Sequence, residues 1–251
     1  MRILLSNDDG FDAEGLIVLE EVLVQAGHQV SVCAPMHQRS ASSHSITMFQ
    51  DVALEAYGPD HYKCSGTPAD CLFYGFGCNV LQPSDYDLVV SGINAGYNLS
   101  SNILYSGTCG VASEAAIWGL KAIALSCYND GSGVYPYKET AQFLLSHLDE
   151  FLSVCNRWTM VNINAPSKFT TKWSVGGIGS VVYRNDYNKV EGKDIYRISP
   201  GGDFEIKEEE RYRDLDLEIV KRNEIAVSAV KILPRLSQSG QVKLEKMAKG
   251  Q

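Results

Sequence analysis

The sequence predicts an α/β protein: a mostly parallel sheet covered by helices, followed by an antiparallel, β-rich C-terminal extension. Three observations carry this. Short apolar runs alternate with helix-period segments through residues 1–166, the order of β-α units joined by right-handed crossovers. Loops rich in polar residues follow several of those runs, as they do at the ligand-binding edge of an open parallel sheet. After about residue 170 glycines and tyrosines replace the β-α rhythm. The 251 residues accommodate a large α/β unit with an appendage, and the boundary is placed at 170, giving a core over 1–170 and an extension over 171–251.

Residues 2–6 form an apolar run stopped by Asn7-Asp8-Asp9-Gly10, in which Asp-Gly is a turn signal. Leu16, Leu19, Leu23 and Ala26 then recur at helical intervals, with Gly27 in the C-terminal capping position. Residues 29–34 are the second strand, stopped by Pro35, and 87–91 read as a buried strand. A small-residue helix over 109–120 and a strand over 121–127 follow. Residues 138–154 form one amphipathic helix with Leu144, Leu148 and Phe151 on its apolar stripe, and His147 is expected at its surface. Residues 159–164 are a further strand, closed by Pro166. In the last third, Gly176, Gly177, Gly179 and the segment 183–187 read as hairpins and loops, and the charged run 208–213 as a solvated face.

A net charge of −8 argues against a general nucleic-acid surface, which needs Lys and Arg to displace condensed counterions. It leaves room for a small phosphorylated ligand, because a bound cation reverses the local field. The seven cysteines include no C-x-x-C pair, and Cys64, Cys71 and Cys78 share the spacing of one helix face. They are expected to be reduced and mostly buried, in a cytoplasmic protein. The apolar run at the N-terminus is too short for a signal core or a membrane span, so no membrane association is expected.

Three loops follow predicted strands and carry hard oxygen donors: 7–10, then 35–45 with Arg39, Ser40, Ser42 and Ser43, then 92–98 with Asn94 and Asn98. Adjacent carboxylates repel, so Asp8 and Asp9 are costly unless exposed or neutralised. Mg²⁺ or Mn²⁺, which take carboxylate, amide and hydroxyl oxygens, would neutralise them; a plain turn is the alternative. Tyr105-Ser106-Gly107-Thr108 leads into the helix at 109–120 and offers hydroxyls and unpaired N–H groups at the positive end of its dipole. That is either a phosphate site or ordinary N-capping. The sequence lacks a P-loop ending, a G-x-G-x-x-G turn, an H-E-x-x-H pair and a G-x-S-x-G elbow.

Six blocks resemble those of the SurE family of nucleotidases: residues 1–10, Ala34-Pro35 with Arg39-Ser40, residues 65–71, 87–96, Tyr105-Ser106-Gly107-Thr108, and Val161-Asn162-Ile163-Asn164. The resemblance implies a Rossmann-like catalytic core and a C-terminal segment exchanged between subunits of a homodimer or homotetramer. It implies a phosphomonoesterase acting on nucleoside 5′- and 3′-monophosphates, with one Mg²⁺ or Mn²⁺ per subunit. The implied metal ligands are Asp8, Asp9, Ser40 and Asn94, with Asp8 and Asp9 catalytic; Asn98, Ser106, Gly107 and Thr108 would hold the phosphate. Met36-His37 and Ala41 depart from the family's Asp-Arg and Gly, and Asp216 with Ile219-Val220 is a reduced version of its Asp-x-x-Ala-Val motif. Two rivals remain. A signalling receiver would need an Asp after the strand at 87–91, where Ser91-Gly92 stands, and a non-catalytic nucleotide binder would not need all three donor loops.

Overall fold

Strand β1 (Arg2–Ser6) is apolar on both faces, Ile3 and Leu5 on one side and Leu4 on the other, as a strand deep in a parallel sheet must be. The computed structural model describes residues 1–183, 186–199, 204–207, 214–233, 241, 244 and 247–248. After β1 come α1 (Glu14–Gln25), β2 (Gln29–Pro35), β3 (Leu54–Gly58), β4 (His61–Cys64), α2 (Pro68–Gly77) and β5 (Leu88–Ala95). Next are α3 (Gly107–Ile117), β6 (Lys121–Cys127), α4 (Tyr137–Ser146), α5 (Leu148–Val154) and β7 (Thr159–Ala165). The remainder is β8 (Trp173–Val175), β9 (Ser180–Tyr183), β10 (Asp186–Lys189), β11 (Tyr196–Ser199), β12 (Phe204–Lys207), α6 (Asp216–Lys221) and β13 (Ile225–Lys231).

The main sheet has the order β3-β4-β2-β1-β5-β6-β7-β13-β8. Strands β4, β2, β1, β5, β6 and β7 run parallel, whereas β3 and β13 lie antiparallel to β4 and β7. Alternation along each strand builds two cores. Helices α1, α4 and α5 cover Ile3, Val90, Ile123 and Ile163 on one face. Helices α2 and α3 cover Leu4, Val89 and Ala124 on the other, where Ala112 and Ala115 of α3 meet Ala122 and Ala124 and let helix and sheet approach closely.

Several expectations shift. The segment 138–154 is two helices broken at His147. That ring is half-buried: it packs 4.5 Å from Phe143 and 5.8 Å from both Phe151 and Trp173, so it is no surface residue. Helix α3 starts two residues before the expected 109 because Ser106 caps it, accepting from Cys109 N–H at 3.0 Å. The strand expected at 87–91 runs on to Ala95 after a register shift, which puts Asn94 on a strand instead of a loop. Strands β3 and β4 and helix α2 were not anticipated. Six of the seven cysteines are buried free thiols; Cys71 and Cys78 ride on or cap α2, but Cys64 ends β4. Beyond 170, β9 with β12 and β10 with β11 form the antiparallel extension, whereas β8 and β13 add to the main sheet. The charged run 208–213, with Arg184 and Asn185, lies outside the described residues.

Asp216, at the start of α6, ties the last third to the site edge. Its buried carboxylate accepts from Ser100 N–H at 2.6 Å, from Ser100 Oγ at 2.7 Å and from Leu217 N–H at 2.8 Å. Ser100 sits at φ +54°, a conformation a side chain seldom adopts unaided. Asp216→Ala would strand both Ser100 donors, and we expect a loss of about 2 kcal/mol. Urea unfolding would show it as a lower midpoint at unchanged slope.

Candidate active site

The chain passes from β1 to β2 and β4 on one side of the sheet and then returns to β5 on the other. The carboxyl ends of β1 and β5 therefore form the crevice where such sheets bind ligands. The 7–10 turn is built by Asn7, whose amide donates to Gly10 O at 2.8 Å and accepts from Gly10 N–H at 3.2 Å, with Gly10 at φ +117°. That turn sets Asp8 and Asp9 at the mouth of the crevice.

Asp8 is 4 % exposed and points at the start of α3, where Thr108 Oγ1 donates to its Oδ1 at 2.5 Å. Burial pushes its carboxyl up to about 6; the Thr108 hydroxyl pulls it down and the neighbouring Asp9 charge raises it further. Gly107 makes this approach feasible, since a Cβ there would stand 2.6 Å from Ser42 Oγ and 2.7 Å from Asp8 Cβ. Gly107→Ala is expected to cost about 2 kcal/mol by overpacking, which urea unfolding would read as a lower midpoint.

Asp9 Oδ2 accepts from Ala95 N–H at 3.0 Å, and its Oδ1 from Gln38 Nε2 at 3.3 Å. Asn94 spends its amide N–H on Gly96 O at 2.7 Å, which leaves Oδ1 as an acceptor. The Ser40 loop is pinned next door: Arg39 N–H donates to Asp8 O at 2.7 Å and Arg39 Nη2 to Ser65 O at 3.0 Å. Ser40 itself is exposed. Asn98 is buried and committed, its Nδ2 donating to Ser126 Oγ at 2.9 Å, its N–H to Asn164 Oδ1, and its carbonyl accepting from Asn162 and Asn164. Ser106 acts as the cap of α3, which leaves its hydroxyl proton to donate. The structure thus joins Asp8, Gly107 and Thr108 directly and fastens the segments of Ser40 and Asn94 to the Asp8-Asp9 turn. Asn98 is held as part of the floor.

The donor chemistry fits a hard divalent cation. Among the described residues no three His, Cys, Asp or Glu side chains cluster. The crevice instead offers two carboxylates and neutral oxygens, as Mg²⁺-type ions accept. Ser42 Oγ, against Gly107 and Asp8, is buried without a hydrogen-bond partner, a cost that a ligand at this position would relieve.

A family model described as "Survival protein SurE" matches residues 3–185. The chain belongs to the SurE family. Among its relatives is the 5'-nucleotidase SurE of Desulfitobacterium hafniense (strain DSM 10664 / DCB-2), 36% identical over 218 residues that cover 82% of this chain and 84% of that protein. The 5'-nucleotidase SurE of Caldanaerobacter subterraneus subsp. tengcongensis is 32% identical over 238 residues, 91% of this chain and 90% of its own. The crystal structure of the SurE protein from Aquifex aeolicus superposes with a TM-score of 0.80 at 28% identity, covering 99% of this chain and 100% of that one.

Within this SurE site, sequence reading gave no role to Ser126, Asn162 and Asn164, which clamp Asn98. A signal was present: Asn162 and Asn164 alternate with Ile163 in an otherwise apolar strand, so both amides had to fall on one face. Ser42 was only one of several loop serines, and nothing local set it apart.

Proposed function

We propose that this chain is a divalent-metal-dependent phosphomonoesterase that hydrolyses nucleoside 5′-monophosphates, and 3′-monophosphates as well, to nucleoside and phosphate. The observation that carries the reading is the Asp8-Asp9 pair at the sheet's switch point, set against the N-terminus of α3. The names of the Desulfitobacterium and Caldanaerobacter relatives, both 5'-nucleotidases, support the 5′ activity. Asp8, Asp9, Ser40 and Asn94 would hold one Mg²⁺ or Mn²⁺ per subunit. When bound, that ion supplies Lewis-acid polarisation of the phosphate and lowers the pKa of water.

The chain's own residues do the rest. Ser106 presents its hydroxyl and Gly107 its N–H to the non-bridging phosphate oxygens, where negative charge rests in the transition state, whereas the Thr108 hydroxyl is spent on Asp8 and holds that carboxylate at the edge of the cradle. Asn98, fixed by Ser126, Asn162 and Asn164, sets the position of the loop that leads into that cradle. Asp9 accepts the proton of the attacking water. No side chain acts as nucleophile, so rapid quenching during turnover should trap no phosphoenzyme. A covalent aspartyl-phosphate would overturn the direct-hydrolysis scheme.

The test is phosphate release from a panel of nucleoside 5′- and 3′-monophosphates, using metal-stripped protein with and without Mg²⁺ or Mn²⁺. Turnover that needs the metal and favours nucleotides supports the reading; a folded protein inactive with either ion sinks it. A homodimer or homotetramer in the cytoplasm goes with the family resemblance. Among the described residues no helix is long and apolar enough to cross a membrane.

A further inference from the structure

Ser106, Cys109 and Gly110, the first turn of α3, also wall a second cavity of about 180 Å³. Its other sides mix apolar and polar groups: Ile103 and Leu104 before the helix, Met160 at the start of β7, Val230, Lys231 and Ile232 at and just past the end of β13, and Ser113 from the second turn of α3. A cavity of roughly 150 Å³ accepts a benzene ring, so this one has room for a heterocyclic base. A phosphate ester held at the start of α3 must leave its organic group beside it, and this cavity shares Ser106 with that cradle. Leu104 is 73 % exposed although it lines the cavity, so a flat apolar group seated there would cover it.

Beside Lys231 and the two serines, the wall carries His44. Its Nε2 lies 2.7 Å from Glu114 Oε2, and the other Glu114 oxygen accepts from Trp118 Nε1 at 2.8 Å. Glu114 is buried, whereas the His44 side chain is 34 % exposed. A buried carboxylate that holds an accessible imidazole fixes the ring's orientation, with Nε2 directed to Glu114 and Nδ1 left as its other polar atom. The loop that carries His44 is pressed onto α3. Ser43 N–H donates to Tyr105 O at 2.9 Å, and a Cβ at Gly110 would fall 2.4 Å from Ser43 O.

We infer that this cavity is the base subsite: it receives the base of a nucleoside monophosphate whose phosphate sits at the start of α3, and His44, held by Glu114, is the specificity residue that hydrogen-bonds it. The inference rests on the phosphomonoesterase reading above and adds where the leaving nucleoside goes.

The experiment fills the cavity from a wall residue outside the metal and phosphate sets. Ser113→Phe, with folding checked by thermal melting, is compared with wild type on nucleoside 5′-monophosphates and on ribose 5-phosphate, which lacks a base. Binding of the four free ribonucleosides is measured by calorimetry on both proteins. The expected result is a KM for nucleotides raised about tenfold or more, unchanged ribose 5-phosphate turnover, and loss of nucleoside binding. His44→Ala, which leaves the cavity open, should raise the nucleotide KM at constant kcat, and His44→Gln should recover part of it. Equal losses on nucleotide and ribose 5-phosphate would overturn the subsite, as would no loss on either. So would a Ser113→Phe protein that changes only its oligomeric state, which would assign the groove to a subunit contact. Nucleoside binding that Ser113→Phe removes, in a protein that releases no phosphate from any substrate, would keep the subsite and remove the phosphatase reading.

Discussion

Asp9→Ala is expected to remove metal-dependent phosphate release, lowering kcat/KM on the order of 10³-fold, since an ion that polarises a phosphoryl oxygen supplies several kcal/mol of transition-state stabilisation. Two properties of Asp9 lead there. With Asp8 it provides the anionic charge of a donor set whose two remaining members, Ser40 and Asn94, are neutral. Its Oδ2 also accepts the Ala95 N–H at 3.0 Å, so it fastens the end of β5 to the 7–10 turn. Asp9→Asn separates the two effects, because the amide oxygen can still accept from Ala95 while the charge is gone. If charge dominates, both variants lose activity alike and only Asp9→Ala loses thermal stability. Phosphate release across a Mg²⁺ and a Mn²⁺ titration, beside melting curves, reads both quantities. A variant that keeps more than a tenth of wild-type kcat/KM at saturating metal would take Asp9 out of the metal site.

The part of this arrangement visible in the sequence was the part encoded locally. Arg2–Ser6 and the helix after it announce themselves by period, and the polar loops after strands locate the binding edge without any coordinates. What failed to show depended on tertiary partners. Helix α2 carried a readable start, Thr67-Pro68-Ala69-Asp70, and it does form a capping box, yet its apolar face is short and interrupted by glycines. At the break, the His147 ring packs against Trp173, far along the chain, a contact that no helical period foretells. Gly107 reads as a flexible residue before a helix; only the structure shows that it is bare because Asp8 and Ser42 occupy the space of a side chain. Asp216 stands in the sequence as part of a reduced motif, and its partner Ser100, more than a hundred residues away, shows only in the structure.

Metal-free protein should lose stability as pH rises from about 4 to about 6, and Asp8→Asn should remove that loss. The Asp8 carboxyl titrates near 6 in the folded state against 3.8 for the ordinary side chain. Between those values the native protein holds more protons than the unfolded chain, so its stability falls with rising pH. Below about pH 4 both states are protonated and the penalty is absent. Above pH 6 it is complete, roughly 3 kcal/mol from the rise of 3.8 to about 6. Asn is nearly isosteric, still accepts the Thr108 hydroxyl and never ionises, so the metal-free variant should be the more stable protein at pH 7. Saturating Mg²⁺ should reverse the order, because the ion binds the native carboxylate pair of the wild type and stabilises only that protein by mass action. Urea midpoints at pH 4, 5, 6 and 7, each with chelator and with Mg²⁺, test the whole cycle. Parallel pH profiles for the two chelated proteins would show that Asp8 carries no such penalty. A crossing of their stabilities on adding metal would show why an uncompensated carboxylate is kept in the interior: the strain that destabilises the empty site is released when a cation occupies it.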